Sequence, residues 1–230
     1  MNRVGLNRDN LDKFYTKLSV VKRCTELVKE YINISDNDIV IEPSAGNGAF
    51  IPYILNMSST YIFYDIEPEH ESIIKQDFLK LVPNYNQDNI TNERIHIIGN
   101  PPFGRQSSLA IKFIKKSASF CDTISFILPK SFKKNSTKKH FPLNFHLLCE
   151  IDLDSNSFLV NDNEHDVPCI FQIWEKKQYN RDTEIDLVPI NFEFVKIADN
   201  PDISFRRVGI NAGNIDTNTV DKSVQTHYFI

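Results

Sequence analysis

Apolar residues are grouped along the chain in two recurring patterns, one with the period of a helix and one typical of buried strands. Between residues 18 and 32 the apolar side chains lie three and four positions apart, which predicts an amphipathic helix. Residues 38–42 (DIVIE) and 61–64 (YIFY) are short apolar runs that end on an acid or lead into one. We predict a strand for each run, and between them a second helix that begins near Gly48.

The same alternation continues in the second half of the chain. Two prolines stop an apolar run at residues 94–99 (RIHIIG), and a helical pattern follows at 109–120. Further strands are predicted at 123–128, 147–153 and 169–174, a short strand within 71–78, and a solvated loop at 81–93. Because a strand without a polar face must be buried on both sides, this order predicts an α/β fold with a mostly parallel sheet covered by helices on both faces.

The length of 230 residues is that of one large domain. We assign residues 1–178 to this domain and residues 179–230 to a short, polar C-terminal extension with strand-like segments at 203–208 and 224–230. The extension is too short to be predicted as a second domain, and it is a candidate substrate-recognition segment.

The composition, with 41% hydrophobic and 24% charged residues, is that of an ordinary globular protein and excludes the disordered and fibrous classes. No apolar run approaches the roughly 18 residues that a membrane span needs. The first residues are polar, so we predict a cytoplasmic protein without a membrane partner. The four cysteines form no CxxC pair and the six histidines are scattered, which predicts reduced core thiols and no metal site.

Charge is segregated along the chain, although the net charge is only −4. Residues 100–140 hold nine Lys and Arg against one acid, whereas residues 150–170 hold six acids and no Lys or Arg. A local basic region of this kind can follow a phosphate backbone. The chain as a whole does not have the charge of a basic nucleic-acid binder, so any such contact is expected to be local.

Four of the seven glycines fall in two short segments that each follow a predicted strand. In the first segment, residues 42–50 (EPSAGNGAF), Gly46 and Gly48 let the backbone turn tightly and approach a ligand without a Cβ in the way. Ile51 stands where a dinucleotide-binding fingerprint has its third glycine, and the acid at the strand end suits a positively charged ligand better than a pyrophosphate. A tight connection that binds nothing is the alternative.

A second acid, Asp65, ends the next predicted strand about twenty residues later. In nucleotide-binding sheets a carboxylate at this point can accept both hydroxyls of a ribose. The alternative is an acid that is merely solvated at a strand end.

The second segment consists of Gly99 and the turn that follows it at residues 100–104 (NPPFG). Two consecutive prolines make the turn rigid and remove two backbone donors, so the Asn100 amide oxygen and the Pro101 carbonyl are presented as acceptors in fixed positions. Accepting both hydrogens of an exocyclic amine localises the lone pair on its nitrogen. Phe103 offers a flat face on which an extruded base can stack. A proline-rich turn that only caps the strand is the alternative.

These two segments, with residues 12–16 (DKFYT) upstream, resemble the S-adenosylmethionine-dependent amino-methyltransferases. They are most similar to the gamma-class adenine-N6 enzymes, whose FYT, (D/E)PxxGxGxF and NPP(F/Y) signatures occur in this order. The resemblance covers residues 12 to about 175, and NPPF is its most specific motif. It implies a Rossmann-like class I methyltransferase fold, with a seven-stranded sheet and S-adenosylmethionine bound over the ends of the first strands.

The resemblance also implies a cofactor site and a catalytic turn. Residues 14–16 would line the methionine end of the cofactor, residues 42–48 would surround its methionine and ribose, and residues 77–78 would contact its adenine. The cofactor-binding residues are Phe14, Tyr15, Thr16, Glu42, Ser44, Gly46, Gly48, Asp65, Asp77 and Phe78. The catalytic turn that holds the target base comprises Asn100, Pro101, Pro102 and Phe103. The transfer would be a direct in-line displacement, with no metal and no covalent enzyme intermediate.

Under this resemblance the basic region would guide a nucleic acid to the site. Arg105 follows the catalytic turn, and Lys130, Lys133 and Lys134 follow the next predicted strand, whose end lies beside that turn. Phe132 would be either a second wall of the base pocket or a core residue.

The predicted substrate is adenine in DNA, because the FYT and EPSAGNGAF segments are more similar to those of DNA enzymes. Only about 55 residues follow the matched region, where gamma-class DNA enzymes carry a target-recognition domain. Small ribosomal-RNA adenine methyltransferases also use an NPPF turn, so RNA is the alternative, and specificity would come from the extension, a protein partner or substrate shape. The alternative from another class is a methyltransferase fold kept as a non-catalytic, nucleic-acid-binding subunit.

Overall fold

The computed structural model describes residues 14–83, 93–160, 163–182 and 188–230. The chain divides into two compact units, Met1–Asp182 and Thr183–Ile230. Most of the loop predicted at 81–93 falls on residues 84–92, which lie outside the described residues. In the described part no helix is long and apolar enough to cross a membrane.

The larger unit alternates strands and helices much as the apolar pattern predicts. Its helices are α1 (Leu18–Tyr31), α2 (Ile51–Ile54), α3 (Ser108–Ala118) and α4 (Asn135–Lys138), with short 3-10 helices at Phe78–Lys80, Arg105–Ser107 and Lys130–Lys133. Its strands are β1 (Tyr15–Thr16), β2 (Ile39–Glu42), β3 (Thr60–Asp65), β4 (Ile74–Lys75), β5 (Ile95–Gly99), β6 (Thr123–Pro129), β7 (Phe145–Asp152), β8 (Phe158–Val160), β9 (Asn163–His165) and β10 (Cys169–Lys176). The second helix is shorter than predicted because residues 46–50 form a turn rather than a first helical turn.

Seven of these strands form one sheet in the order β4-β3-β2-β5-β6-β10-β7. The pairs from β4 to β6 are parallel, and β10 is antiparallel to both β6 and β7. Every residue of β5 is buried, as is every residue of β6 before Pro129. The prediction of a mostly parallel sheet covered on both faces is confirmed, because the strands from β4 to β6 are parallel and the central ones are buried.

Two apolar clusters lie on opposite faces of this sheet. On β2, Val40 packs into the cluster that contains the buried residues of α1, while its neighbour Ile41 packs into the cluster that contains those of α3. Successive residues of a strand point to opposite faces, so each helix layer takes alternate strand residues. The four cysteines are free and buried in these clusters. Burial raises the pKa of the Cys169 thiol to about 12.

A buried polar cluster fixes the amino ends of three neighbouring strands. His96 of β5 lies between Thr123 of β6 and Asp38, with ring nitrogens 2.8 Å from Thr123 Oγ1 and 3.1 Å from Asp38 Oδ2. Burial acts to raise the pKa of Asp38, but backbone N–H donors of Ser35 and Arg94 outweigh it and lower the pKa to about 2. These hydrogen bonds hold the amino ends of β2, β5 and β6 together, and their polar groups are satisfied within the chain.

The smaller unit contains a three-stranded antiparallel sheet. Its strands are β11 (Ser204–Arg206), β12 (Ile215–Asp216) and β13 (His227–Phe229), in the order β12-β11-β13, with a short 3-10 helix at Ile197–Asp199. The two strand-like segments of the extension therefore hold β11 and β13.

Residues up to Arg181 belong to the larger unit, because the Arg181 guanidinium lies 5.3 Å from the Trp174 ring centroid and donates to the Phe145 carbonyl.

Candidate active site

The acidic and amide residues singled out in the sequence meet at the carboxyl edge of the sheet. Glu42 ends β2, Asp65 ends β3 and Asn100 follows β5, and these three strands are parallel neighbours. The carboxyl ends of parallel strands lie at one edge, which is where open α/β sheets bind ligands. The two predicted turns therefore lie side by side.

The turn after β2 is tight and is attached to the end of β3. Gly46 and Gly48 have φ of +53° and +82°, in the left-handed region that side chains disfavour. A Cβ added to Gly48 would lie 2.7 Å from Ile51 Cδ1, whereas one added to Gly46 would make an ordinary 3.6 Å contact with Tyr15. The Ala45 N–H donates to the Tyr64 carbonyl at 2.8 Å. Backbone conformation and close packing together explain the second glycine.

Asp65 organises the same turn through its carboxylate. Its Oδ2 accepts the Gly46 N–H at 2.8 Å, and its Oδ1 accepts the Glu67 N–H at 2.8 Å. A carboxylate has about four acceptor positions, so each oxygen keeps the capacity for a further donor. The Asp65 side chain is only half-buried, and it can hold the turn and accept ligand hydroxyls at the same time.

Glu42 is a buried acid without a counter-charge in the described part of the chain. Its side chain is 2% exposed, and its Oε2 accepts no hydrogen bond from any residue that the structure describes. Burial, and then the negative charge of Asp65, raise the pKa of Glu42 well above its usual value. A buried carboxyl with an unpaired oxygen favours a ligand that brings positive charge or hydrogen-bond donors.

The turn after β5 is attached both to the first turn and to the N-terminal strand. The Ser44 hydroxyl donates to the Asn100 carbonyl at 3.1 Å. The Asn100 side-chain Nδ2 donates to the Phe14 carbonyl at 3.3 Å and to Thr16 Oγ1 at 3.2 Å. Asn100 Oδ1 is buried and has no hydrogen-bond partner among the described residues. The amide thus offers an unused acceptor at the carboxyl edge of the sheet.

The remainder of this turn fixes its shape. Pro101 is buried, Pro102 is exposed, and Phe103 is half-buried against both apolar clusters. The Phe103 carbonyl accepts the Leu109 N–H at 3.0 Å, which ties the turn to the start of α3. Gly104 has φ of +67°, and a Cβ there would lie 2.8 Å from Leu109 Cγ. Hydrogen bonds therefore fix the turn at Asn100, before the two prolines, and at Phe103, after them.

The FYT segment reaches the site through a small sheet that sequence reasoning missed. Strand β1 pairs with β8, which pairs with β9, in antiparallel register. The Phe14 ring packs at 6.3 Å from Phe158 and stacks at 5.6 Å on His165. The apolar run of β8 was the available signal, but its partner lies more than 140 residues away in the chain. These contacts bring Phe14 and Thr16 to Asn100, while the Tyr15 ring lies beside Gly46.

Asp77 and Phe78 take structural positions next to this edge. The Asp77 carboxylate accepts the Leu79 N–H at 3.0 Å and lies 3.4 Å from Lys80 Nζ, so it caps the short helix that follows. The Phe78 side chain is 1% exposed and stacks on Phe113 with ring centroids 5.4 Å apart. The Phe78 ring therefore belongs to the core, and the adenine contact predicted for this residue, which stays a prediction, would be made by its backbone.

Most of the predicted substrate-binding residues after β6 have partners within the chain. Lys130 and Lys133 both pair with Asp152, at 3.2 and 2.6 Å, and Lys133 and then Lys130 lower the pKa of that carboxyl. Phe132 has no exposed surface and packs in the α3 cluster, so of its two predicted roles the structure supports the core residue. Lys134 lies at the start of α4. Arg105 is exposed, directly after the catalytic turn.

Near these residues the described part of the chain holds no acid–histidine–cysteine cluster suited to a metal. Among the described side chains, no three His, Cys, Asp or Glu come together in a way that could hold an ion.

Comparison with known proteins agrees with this architecture, although no protein-family model matches the chain. Ribosomal RNA small subunit methyltransferase A of Francisella tularensis is 26% identical over 157 residues, which cover 59% of this chain and 58% of that protein. The chain thus matches a little under three fifths of the length of this curated relative.

Solved structures of methyltransferases are similar to this chain in fold. A candidate RNA methyltransferase from Pyrococcus horikoshii is similar over 75% of this chain and 92% of its own, with a TM-score of 0.55 and 14% identity. The methyltransferase subunit of a type I restriction-modification system from Streptococcus thermophilus is similar over 74% of this chain and 46% of its own, with a TM-score of 0.51 and 16% identity. The fold is that of the class I methyltransferases, as the sequence predicted.

Proposed function

We propose that this protein is an S-adenosylmethionine-dependent methyltransferase that methylates the N6 amino group of adenine in nucleic acid, with a catalytic turn like that of the gamma-class enzymes. The observation that carries the proposal is the buried, unpaired Oδ1 of Asn100, held beside the glycine turn at the carboxyl edge of the sheet. A buried acceptor without a donor costs about 1–3 kcal/mol, which a substrate amine would recover. The curated relatives, named as ribosomal RNA methyltransferases, support the coarser part of the proposal, methyl transfer to nucleic acid.

The cofactor site proposed here fits the chemistry of the residues present. Glu42 provides a buried carboxyl in need of a donor or a positive charge, and Asp65 retains acceptor capacity for ribose hydroxyls. The Gly46–Gly48 turn brings the backbone close to the ligand, with Tyr15 packed against it. Ser44, Phe14 and the backbone at 77–78 complete the proposed site, whereas Thr16, which the resemblance also implies for it, accepts a hydrogen bond from Asn100. When bound, S-adenosylmethionine supplies an electrophilic methyl group on a positively charged sulfur.

The catalytic turn would activate the amine rather than deprotonate it. Asn100 Oδ1 and the Pro101 carbonyl accept the two N–H groups, which localises the nitrogen lone pair and directs it at the methyl carbon. With the cofactor bound, the amine nitrogen would take the methyl group in a direct displacement from the sulfur, and the charged nitrogen would then lose a proton to water. Asn100 therefore acts by electrostatics and orientation, and the reaction requires no strong base at the turn.

Around the turn, aromatic and basic side chains would hold the substrate. Phe103 would stack on the flipped base, and Arg105 and Lys134 would contact phosphates. Lys130 and Lys133 would exchange Asp152 for a phosphate, since exposed ion pairs contribute little to stability and are readily replaced. In this proposal the basic residues that follow β6 would lie beside the base-binding turn, because β6 is the neighbour of β5 in the sheet.

Two observations point to different nucleic acids. The FYT and EPSAGNGAF segments favour DNA, whereas the curated relatives are named for ribosomal RNA. We propose RNA as the first substrate to test and DNA as the second.

In the smaller unit the alternating side chains of Val188, Ile190, Phe192 and Phe194 are exposed, which suits a protein partner that contributes specificity.

The experiment is a methyl-transfer assay with radiolabelled S-adenosylmethionine on total RNA and on genomic DNA in parallel, using the wild type and Asn100→Ala. We expect incorporation into one nucleic acid by the wild type and a loss of at least about 100-fold in the variant. Circular dichroism shows whether the variant is folded. Equal incorporation by a folded Asn100→Ala protein, or none by the wild type on either substrate, would overturn the proposal.

A further inference from the structure

The direction of the Asn100 amide is fixed by its neighbours. The Phe14 carbonyl, 3.3 Å away, can only accept a hydrogen bond, so the Asn100 atom that faces it must be the NH2 group. The second hydrogen of that NH2 group is donated to Thr16 Oγ1 at 3.2 Å. Both amide donors are thereby used, and Oδ1 is directed away from them with no partner in the described chain.

This direction decides whether the turn can bind an amine. The two ends of an asparagine amide have nearly the same size, so packing alone does not distinguish the two orientations. A rotated amide would present its NH2 group to the substrate NH2 group, and two donors would face each other. The residues that hold the asparagine NH2 group therefore determine whether the acceptor is available.

Thr16 is itself held rigidly by a buried partner strand. It is 7% exposed and pairs with Phe158 of β8, which has no exposed surface. The next residue, Lys17, donates its N–H to the Ser157 carbonyl at 3.1 Å and forms an ion pair with Glu164 of β9. A strand of two residues would not stay in place alone. The β8–β9 hairpin thus anchors the Thr16 hydroxyl to the core.

We propose that Thr16 is a positioning residue for Asn100, whose hydroxyl holds the amide so that Oδ1 accepts the target amine. This inference rests on the proposed function and gives Thr16 a role distinct from the cofactor contact that the sequence resemblance implies. It also explains why β1 lies against the turn after β5. The strand is not part of the seven-stranded sheet, and its role is to complete the catalytic turn.

The test compares Thr16→Val, which removes the hydroxyl and keeps the branched shape, with Thr16→Ser, which keeps the hydroxyl. Thr25→Val is the matched control, since Thr25 is also buried and its hydroxyl donates to the Val21 carbonyl within α1. We expect Thr16→Val to lower kcat by about 10- to 100-fold, while the Kd for S-adenosylmethionine from calorimetry stays within about twofold. Thr16→Ser and Thr25→Val should stay within about threefold of wild-type kcat.

A weakened cofactor Kd with unchanged kcat in Thr16→Val would overturn the inference, because it would make Thr16 a cofactor contact. Wild-type kcat in Thr16→Val would overturn it as well. An equal loss of kcat in Thr25→Val would attribute the effect to general destabilisation and would also count against the proposal.

A second readout does not depend on activity. In 15N NMR spectra the Asn100 side-chain NH2 signals, assigned by their absence in Asn100→Asp, should exchange slowly with solvent in the wild type and in Thr16→Ser. They should exchange at least about tenfold faster in Thr16→Val, since one hydrogen bond is lost. Unchanged exchange in Thr16→Val would overturn the inference. If the wild type methylates no substrate while the exchange rates change as expected, the failure belongs to the proposed function and the Thr16–Asn100 bond stands.

Discussion

The hydroxyl of Ser44 donates a hydrogen bond of 3.1 Å to the backbone carbonyl of Asn100. The two residues are 56 positions apart in the chain, and each belongs to one of the two motif turns. This bond joins the turn proposed to bind the cofactor to the turn proposed to bind the base. Because the methyl donor and the acceptor must be aligned for displacement, the bond couples the two halves of the site.

Ser44→Ala should reduce the rate of methyl transfer more than it reduces stability. The lost hydrogen bond is worth about 0.5–1.5 kcal/mol of stability, whereas misalignment of the two turns should lower kcat by about tenfold or more. Single-turnover rates and thermal unfolding measure the two effects. Ser119→Ala removes a similar hydroxyl bond, to the Lys116 carbonyl far from the site, and should leave kcat unchanged. Equal rates for both variants would contradict the coupling.

The buried carboxyl of Glu42 should make the unliganded protein less stable as the pH rises. Its pKa is raised in the folded state, so above about pH 4.5, the usual value, the unfolded chain ionises first and unfolding is favoured. Glu42→Gln removes this effect, and its stability relative to the wild type should increase by up to about 1.4 kcal/mol per pH unit within the window. Denaturant titrations between pH 4 and 8 would show it.

The same variant should bind the cofactor more weakly, because it can no longer place a negative charge beside the positive ligand. A stability difference that does not change with pH, together with unchanged S-adenosylmethionine affinity, would contradict the role assigned to Glu42.

The two glycines of the first turn should respond differently to alanine. Gly46→Ala meets only the backbone strain of its positive φ, about 1–2 kcal/mol. Gly48→Ala meets the same strain and also a 2.7 Å approach to Ile51 Cδ1, the end of a buried side chain that has to shift, so it should be moderately more destabilising and should weaken cofactor binding more. Thermal unfolding and calorimetry of the pair test this order. The reverse order would show that the turn has another conformation.

The lysines that share Asp152 should contribute to nucleic-acid affinity through phosphate contacts. Lys133→Ala should weaken binding and reduce the slope of log K against log salt by about 1, whereas Asp152→Asn should strengthen binding. Filter binding over a salt series measures both. Lys22→Ala removes an exposed lysine paired with Glu26 on α1 and should leave the slope unchanged. If the slope of log K against log salt is the same for Lys133→Ala, Lys22→Ala and the wild type, Lys133 does not contact a phosphate of the nucleic acid.

Much of the fold was predictable because its strands are buried on both faces. The run at β2 has no polar alternation, and β6 is buried up to Pro129 although it contains Thr123 and Ser125; the glycine and proline turns mark where such runs end. The pairing of Tyr15 with Leu159 was not predictable, since a two-residue strand carries almost no pattern and its partner is distant in the chain. The Thr16–Asn100 bond depends on that pairing and was missed with it.

Aromatic and charged residues beside the motifs were harder to assign. Phe78 and Phe132 follow strand ends in the sequence, as residues that line a site would, yet both rings turn into the core. The basic residues after β6 and the acids of β7 were recognised as separate charge blocks, but sequence alone gave no sign that Asp152 lies between Lys130 and Lys133. Side-chain direction and ion pairing depend on tertiary packing, which a local pattern does not contain.

The central claim is that Asn100 presents an acceptor to the exocyclic amine of adenine, and mass spectrometry of nucleosides tests it most directly. RNA and DNA treated with the protein and deuterated S-adenosylmethionine are digested, and the labelled nucleoside is identified by fragmentation against synthetic standards. The account predicts label on N6 of adenosine or deoxyadenosine with the wild type and its loss with Asn100→Ala. Label on a ring nitrogen, on carbon, or on cytosine would contradict it.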